Sequence, residues 1–160
     1  MVTTFQLVLE EIKNRKMVNG TIPASYTGPL LSILRIMTGL LFFAHGSAKL
    51  LMFPATKNFS EGVSLLSFAG FTGVLEFVGG ALVTLGLFTR ITAFILSGMM
   101  AVAYFMAHAP RDFYPINNGG ELAILFCFIF LYIAAAGPGP WSIDARRGGP
   151  SSAVEQRARV

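Results

Sequence analysis

Apolar residues along this chain gather into four long runs, near Leu30–Phe53, Phe68–Phe88, Ile91–Ala109 and Gly120–Ala136. Each is close to the roughly 20 helical residues that cross a bilayer. Helix breakers set the runs apart. Pro29 precedes the first and Pro54 follows it, Pro110 closes the third, Asn118 can cap the fourth, and Gly137-Pro138-Gly139-Pro140 stops it. Only Thr89 and Arg90 separate the second run from the third, which predicts a tight antiparallel hairpin. The expected fold class is an all-α, integral membrane bundle of four transmembrane helices.

Polar residues inside the runs are spaced as on a helix. In the first run Arg35, Thr38, Phe42, His45 and Lys49 recur at intervals of 3, 4, 3 and 4, which puts them on a single stripe. In the second, Gly73, Glu76, Gly80 and Thr84 share a stripe whose small residues let a neighbouring helix come close. Ser97, Ala101, Tyr104 and His108 align in the third run, and Glu121, Leu125, Phe128 and Tyr132 in the fourth. Four polar-bearing stripes turned inward is the simplest packing, and it leaves the remaining apolar faces to lipid. At about 1.5 Å of rise per residue, His45 lies about 15 Å along the first helix from Arg35. Glu76 lies about 21 Å from Arg90, near the level of His45. The expectation is a cluster of His45, Lys49, Glu76, His108 and Glu121 at one end of the bundle, with Arg35 separate and nearer the other.

Composition sharpens this picture. The chain has 160 residues, of which 54% are hydrophobic and 12% charged. That charge content is about half the roughly 25% of a soluble domain, too little to cover so small a soluble fold, and disorder is excluded. The net charge of +4 does not point to nucleic acid, because the basic residues flank apolar runs and form no face with aromatic readers. Their positions set an orientation instead. Lys13, Arg15, Lys16, Arg90, Arg146, Arg147, Arg157 and Arg159 fall on one side, against Lys57 and Arg111 on the other. The excess of Lys and Arg on cytoplasmic loops then places both termini in the cytoplasm, in a multi-pass protein of the inner (plasma) membrane.

The expected organisation is a cytoplasmic or interfacial segment over 1–28, a membrane domain over 29–144, and a disordered basic tail over 145–160. Phe5, Val8, Leu9 and Ile12 are spaced for a short interfacial helix within residues 3–17, while Glu10, Glu11 and Lys13 argue against a secretory signal. The single cysteine, Cys127, excludes an internal disulfide and a CxxC redox pair. No phosphate-binding loop, dinucleotide fingerprint or nucleophile elbow is present.

Glu76 is the strongest candidate for chemistry, since an ionisable group inside a span is expensive and marks a functional site by default. Glu76 and His45 are the expected catalytic, proton-handling residues, and Arg35, Lys49, His108 and Glu121 the expected ligand-binding ones. Purely structural roles stand beside these. Glu121 with Asn118 matches a capping box. Arg35 and Lys49 can snorkel to the interfaces, and the two histidines can hydrogen-bond across helices. No metal site is expected, because the Glu-x-x-His pairs of di-metal bundles are missing.

Several elements occur in a telling order: Arg35, His45-Gly46-x-x-Lys49, Glu76-x-x-Gly79-Gly80, Leu85-Gly86-Leu87-x-Thr89-Arg90, Gly120-Glu121, Gly137-x-Gly139 and Ser142-Ile143-Asp144. In order and spacing, over about residues 30–144, they resemble the DoxX family of small four-helix membrane proteins, which includes DoxD-like subunits. The resemblance implies a redox-associated membrane subunit. DoxD-like members are associated with thiosulfate:quinone oxidoreductases, and some actinobacterial members with a complex containing superoxide dismutase and a sulfurtransferase. It also implies a quinone or similar amphipathic ligand rather than an intrinsic cofactor. The implied partners are the lipid bilayer, redox proteins and further copies of the chain. The alternatives are a non-enzymatic membrane scaffold and a small proton-coupled transporter.

Overall fold

A computed structural model describes residues 23–57 and 62–147. The expected helix within residues 3–17 and the tail beyond 147 lie outside the described residues. A 3-10 turn over Ala24–Tyr26 leads into α1 (Thr27–Leu51), followed by α2 (Phe68–Leu85) and α3 (Thr89–Ala103). A π-helical turn, Tyr104–His108, prolongs α3. Then come the short α4 (Pro115–Asn118), α5 (Glu121–Ala136) and the short α6 (Ile143–Arg147). All regular structure among the described residues is helical. Ala145, Arg146 and Arg147 belong to α6, so the helical chain continues past 144.

Local chemistry accounts for the boundaries. Pro29 sits inside the first turn of α1, where a missing N–H removes no intrahelical bond. The Ser67 hydroxyl caps α2 by accepting from the Gly70 N–H at 3.1 Å. Gly86 ends α2 with φ 69°, a left-handed conformation natural to glycine. The turn between α2 and α3 is Gly86–Phe88, and Thr89 and Arg90, expected in the turn, open α3 instead.

Helices α1, α2 and α3 with its π turn are long and apolar enough to cross a membrane. Helix α5 is equally apolar but has 16 residues, about 24 Å against a hydrocarbon core of about 30 Å. The fourth expected span is thus a shorter helix than the other three.

Helix α1 packs chiefly on α2, and α3 on α5. The first pair is in backbone contact. A Cβ on Gly46 would stand 2.3 Å from the Phe77 nitrogen, and one on Gly80 2.5 Å from the Phe43 nitrogen. Only glycine permits this approach, as in small-residue interfaces between membrane helices. Phe42, Val83, Ala93, Leu96, Phe126, Phe130 and Ile133 form the core, with the Phe42 ring 4.8 Å from that of Phe130. The expected inward face of the fourth run is reversed. Helix α5 buries Ala123, Phe126, Phe130 and Ile133, while Glu121, Leu125, Phe128 and Tyr132 are exposed. Being apolar all round, α5 is turned by side-chain packing, and a single charge at its first residue does not decide its facing.

Candidate functional site

Lys49, near the end of α1, extends its ammonium toward α2. Its Nζ donates to Glu76 Oε1 at 2.7 Å and to Thr72 Oγ1 at 3.3 Å. Glu76 is only 6% exposed. Its other oxygen, Oε2, is buried without a hydrogen-bond partner among the described residues. Such an atom forgoes an interaction that buried polar groups almost always find.

Glu76 borders a hollow of about 280 Å³ at this end of the bundle, whose walls also include His45, Lys49, His108, Phe42, Met100 and Phe126. The polar residues thus converge from α1, α2 and the π turn, and the apolar ones from α1, α3 and α5. His108 Nδ1 lies 3.1 Å from the Asn118 carbonyl oxygen. A carbonyl only accepts, so Nδ1 is the donor in this contact. His45 stays exposed while lining the hollow, edge-on to Phe126 at 6.2 Å between ring centres.

Four of the five residues expected together, His45, Lys49, Glu76 and His108, therefore share one cavity. Glu121 does not. It is exposed at the start of α5, on the face turned away from the core. The capping box is not formed either, because Asn118 ends α4 and its Oδ1 accepts from the Gly120 N–H at 2.7 Å. Thr72 is the polar neighbour the sequence reading missed. Its position four residues before Glu76 puts it on the same helical face, a signal that was available.

Arg35 lies apart, fully buried at the opposite end. Its guanidinium donates to the carbonyls of Val83, Thr84 (2.6 Å), Pro138 (2.7 Å) and Trp141 (2.6 Å). These carbonyls lie in the last turn of α2, where Val83 also accepts from the Gly86 N–H at 3.1 Å, and in the loop after α5, and the planar fork of arginine suits several at once. Arg90 does the same for α5, donating to Ala134 at 2.9 Å and Ala135 at 2.6 Å. Asp144 closes the structure from the other direction. Its carboxylate accepts from Phe88 N, Thr89 N and Thr89 Oγ1 at 3.0, 2.8 and 2.8 Å, capping α3 across the fold. Partial burial alone raises its pKa, but these hydrogen bonds and nearby Arg147 outweigh it and hold the carboxyl below its ordinary value.

Apolar helices facing outward, with a buried ion pair beside a hollow of ligand size, define a helical membrane protein in contact with the lipid bilayer and carrying a polar pocket at one end. Among such proteins the chain belongs to the DoxX family, whose profile matches residues 30–109. An uncharacterized protein of Haemophilus influenzae is 43% identical over 122 residues, 74% of this chain and 91% of that protein. CatD of Bacillus subtilis, whose name provisionally calls it an oxidoreductase, is 34% identical over 58% of this chain and 75% of its own. An inner membrane protein of Escherichia coli, YqjF, is 28% identical over 70% of this chain and 87% of its own. No solved structure matches the chain.

Proposed function

We propose that this protein is a redox-associated subunit of the inner membrane that binds a quinone, or a similar small amphipathic molecule, in the hollow beside Glu76. In this reading all four apolar helices cross the bilayer, both termini are cytoplasmic and the hollow lies on the outer side. The observation that carries the proposal is the buried Lys49–Glu76 pair at the edge of a cavity, with Glu76 Oε2 lacking a hydrogen-bond partner among the described residues. A ligand hydroxyl, such as that of a quinol, would satisfy it. In this reading the Lys49 ammonium and the exposed His45 ring would hydrogen-bond a carbonyl oxygen, and His108 would be a second polar contact. Glu76 and His45 would exchange protons with the bound head. Electrons would come from a partner protein, since the sequence offers no cysteine pair or metal-ligand set. The oxidoreductase name of CatD supports the redox association.

The test is a quinone titration of the purified protein in nanodiscs, followed by melting temperature. The expected result is a saturable upward shift that Glu76→Gln abolishes. No saturable shift with any quinone overturns the proposal.

A further inference from the structure

A second hollow adjoins the first. It has a volume of about 260 Å³ and lies between α3 and α5, among Tyr104, Phe105, Ile124, Cys127 and Phe128. The two hollows share two wall residues, Met100 and Ala123. One stretch of backbone also serves both. The π turn Tyr104–His108 lends Tyr104 and Phe105 to the second hollow and His108 to the first. A π-helical turn widens the helix locally and is frequent at functional sites.

The chemistry of the two differs sharply. The first is edged by two imidazoles, an ammonium and a carboxylate. The second is walled by hydrocarbon, aromatic rings and sulfur, and its tyrosine oxygen accepts from the Asn118 amide at 3.5 Å. It also opens at the lipid-facing surface, where Phe105 is 69% and Phe128 64% exposed.

From this juxtaposition we infer that the ligand is a two-part molecule reaching the site sideways from the bilayer. Its compact polar head sits against Lys49 and Glu76, and one flexible hydrocarbon tail lies in the groove between α3 and α5. Met100 is the partition between them. Its unbranched thioether side chain has the rotatable bonds to swing aside for the neck of the ligand. The inference rests on the proposed function and narrows its ligand class, because a tail-less polar molecule would leave the second hollow empty.

The experiment compares a tail-less benzoquinone with its decyl-substituted counterpart, using the full chain in nanodiscs. The decyl compound is expected to bind at least tenfold more tightly. Ala101→Phe, which fills the groove from α3, is expected to remove that advantage and leave the tail-less compound unchanged. Ile124→Phe serves the same purpose if Ala101→Phe does not fold. A decyl compound with a diazirine at the tail end is expected to crosslink to the segments around Phe105 and Phe128. Equal affinity of the two compounds after allowing for membrane partitioning, or crosslinks confined to α1 and α2, overturns the inference while leaving the quinone reading in place. Absence of binding by either compound overturns both.

Discussion

The two ends of this bundle use buried charge in opposite ways. At the Arg35 end the guanidinium meets four backbone carbonyls, Asp144 meets two N–H groups and a hydroxyl, and Arg90 covers the last carbonyls of α5. Each of these three charges ties chain to chain. At the Glu76 end the ion pair is between side chains, one carboxylate oxygen has no partner among the described residues, and a hollow borders the pair. A polar network with all its bonds made gives rigidity, whereas one with a bond missing beside a cavity offers that bond to a ligand. In a membrane helix charge alone therefore does not mark function. What distinguishes the ends is whether the partners are the protein's own backbone.

This contrast is easiest to break at Arg35. Arg35→Met leaves carbonyls that no mutation can remove, and is expected to destabilise by about 4 kcal/mol or more. Arg35→Lys should rescue little, because an ammonium lacks the planar fork. Unfolding in mixed micelles measures both, and a well-folded Arg35→Met protein would remove the distinction between the ends.

The Glu76 end should behave differently. Lys49→Met leaves a buried carboxylate without its ammonium and is expected to cost about 3 kcal/mol. Adding Glu76→Leu should restore most of that, because here both partners are side chains and hydrophobic replacement of a buried pair is often neutral. The double variant should fold and fail to respond to quinone. If it stays unstable, the pair is structural.

A smaller effect is expected at Asp144. Asp144→Asn weakens the cap on α3 and should lower stability by about 1 kcal/mol. Its pH dependence has a definite sign. The folded carboxyl titrates below the ordinary value of 3.8, so the stabilisation is complete above that value and is lost as pH falls through the depressed one. The wild-type protein should therefore lose stability on acidification below about pH 4 in a way that Asp144→Asn does not. Melting curves across that range check it. Smallest of all, His45→Ala, at an exposed side chain, should change stability by no more than about 0.5 kcal/mol while weakening the quinone response. A large stability loss would place His45 with Arg35 among the structural charges.

Much of this arrangement was legible from residue order. Apolar runs, their breakers and the 3-4 spacing of polar positions are local properties, and a helix turns spacing into facing by geometry alone. His45 and Lys49 on one stripe, Glu76 on a glycine face and His108 at the end of the third run therefore came out on the side of the bundle where the hollow lies. Three of these residues, His45, Lys49 and Glu76, also belonged to the motifs that carried the DoxX resemblance. Glu121 failed because its helix is apolar all round, so the fit of Phe126, Phe130 and Ile133 into the core set the rotation.

The purpose of Arg35 was hidden for a deeper reason. Its partners are backbone carbonyls between 48 and 106 positions away. Every residue carries such a group, so nothing in the sequence marks which carbonyls a helix end will leave unpaired. The same holds for Asp144, whose amide partners are 55 and 56 residues distant. The amino-acid order settled which segments are helical and which charges share a face. Packing in three dimensions settled which of those charges meet backbone and which face open space, because that depends on where distant chain ends arrive.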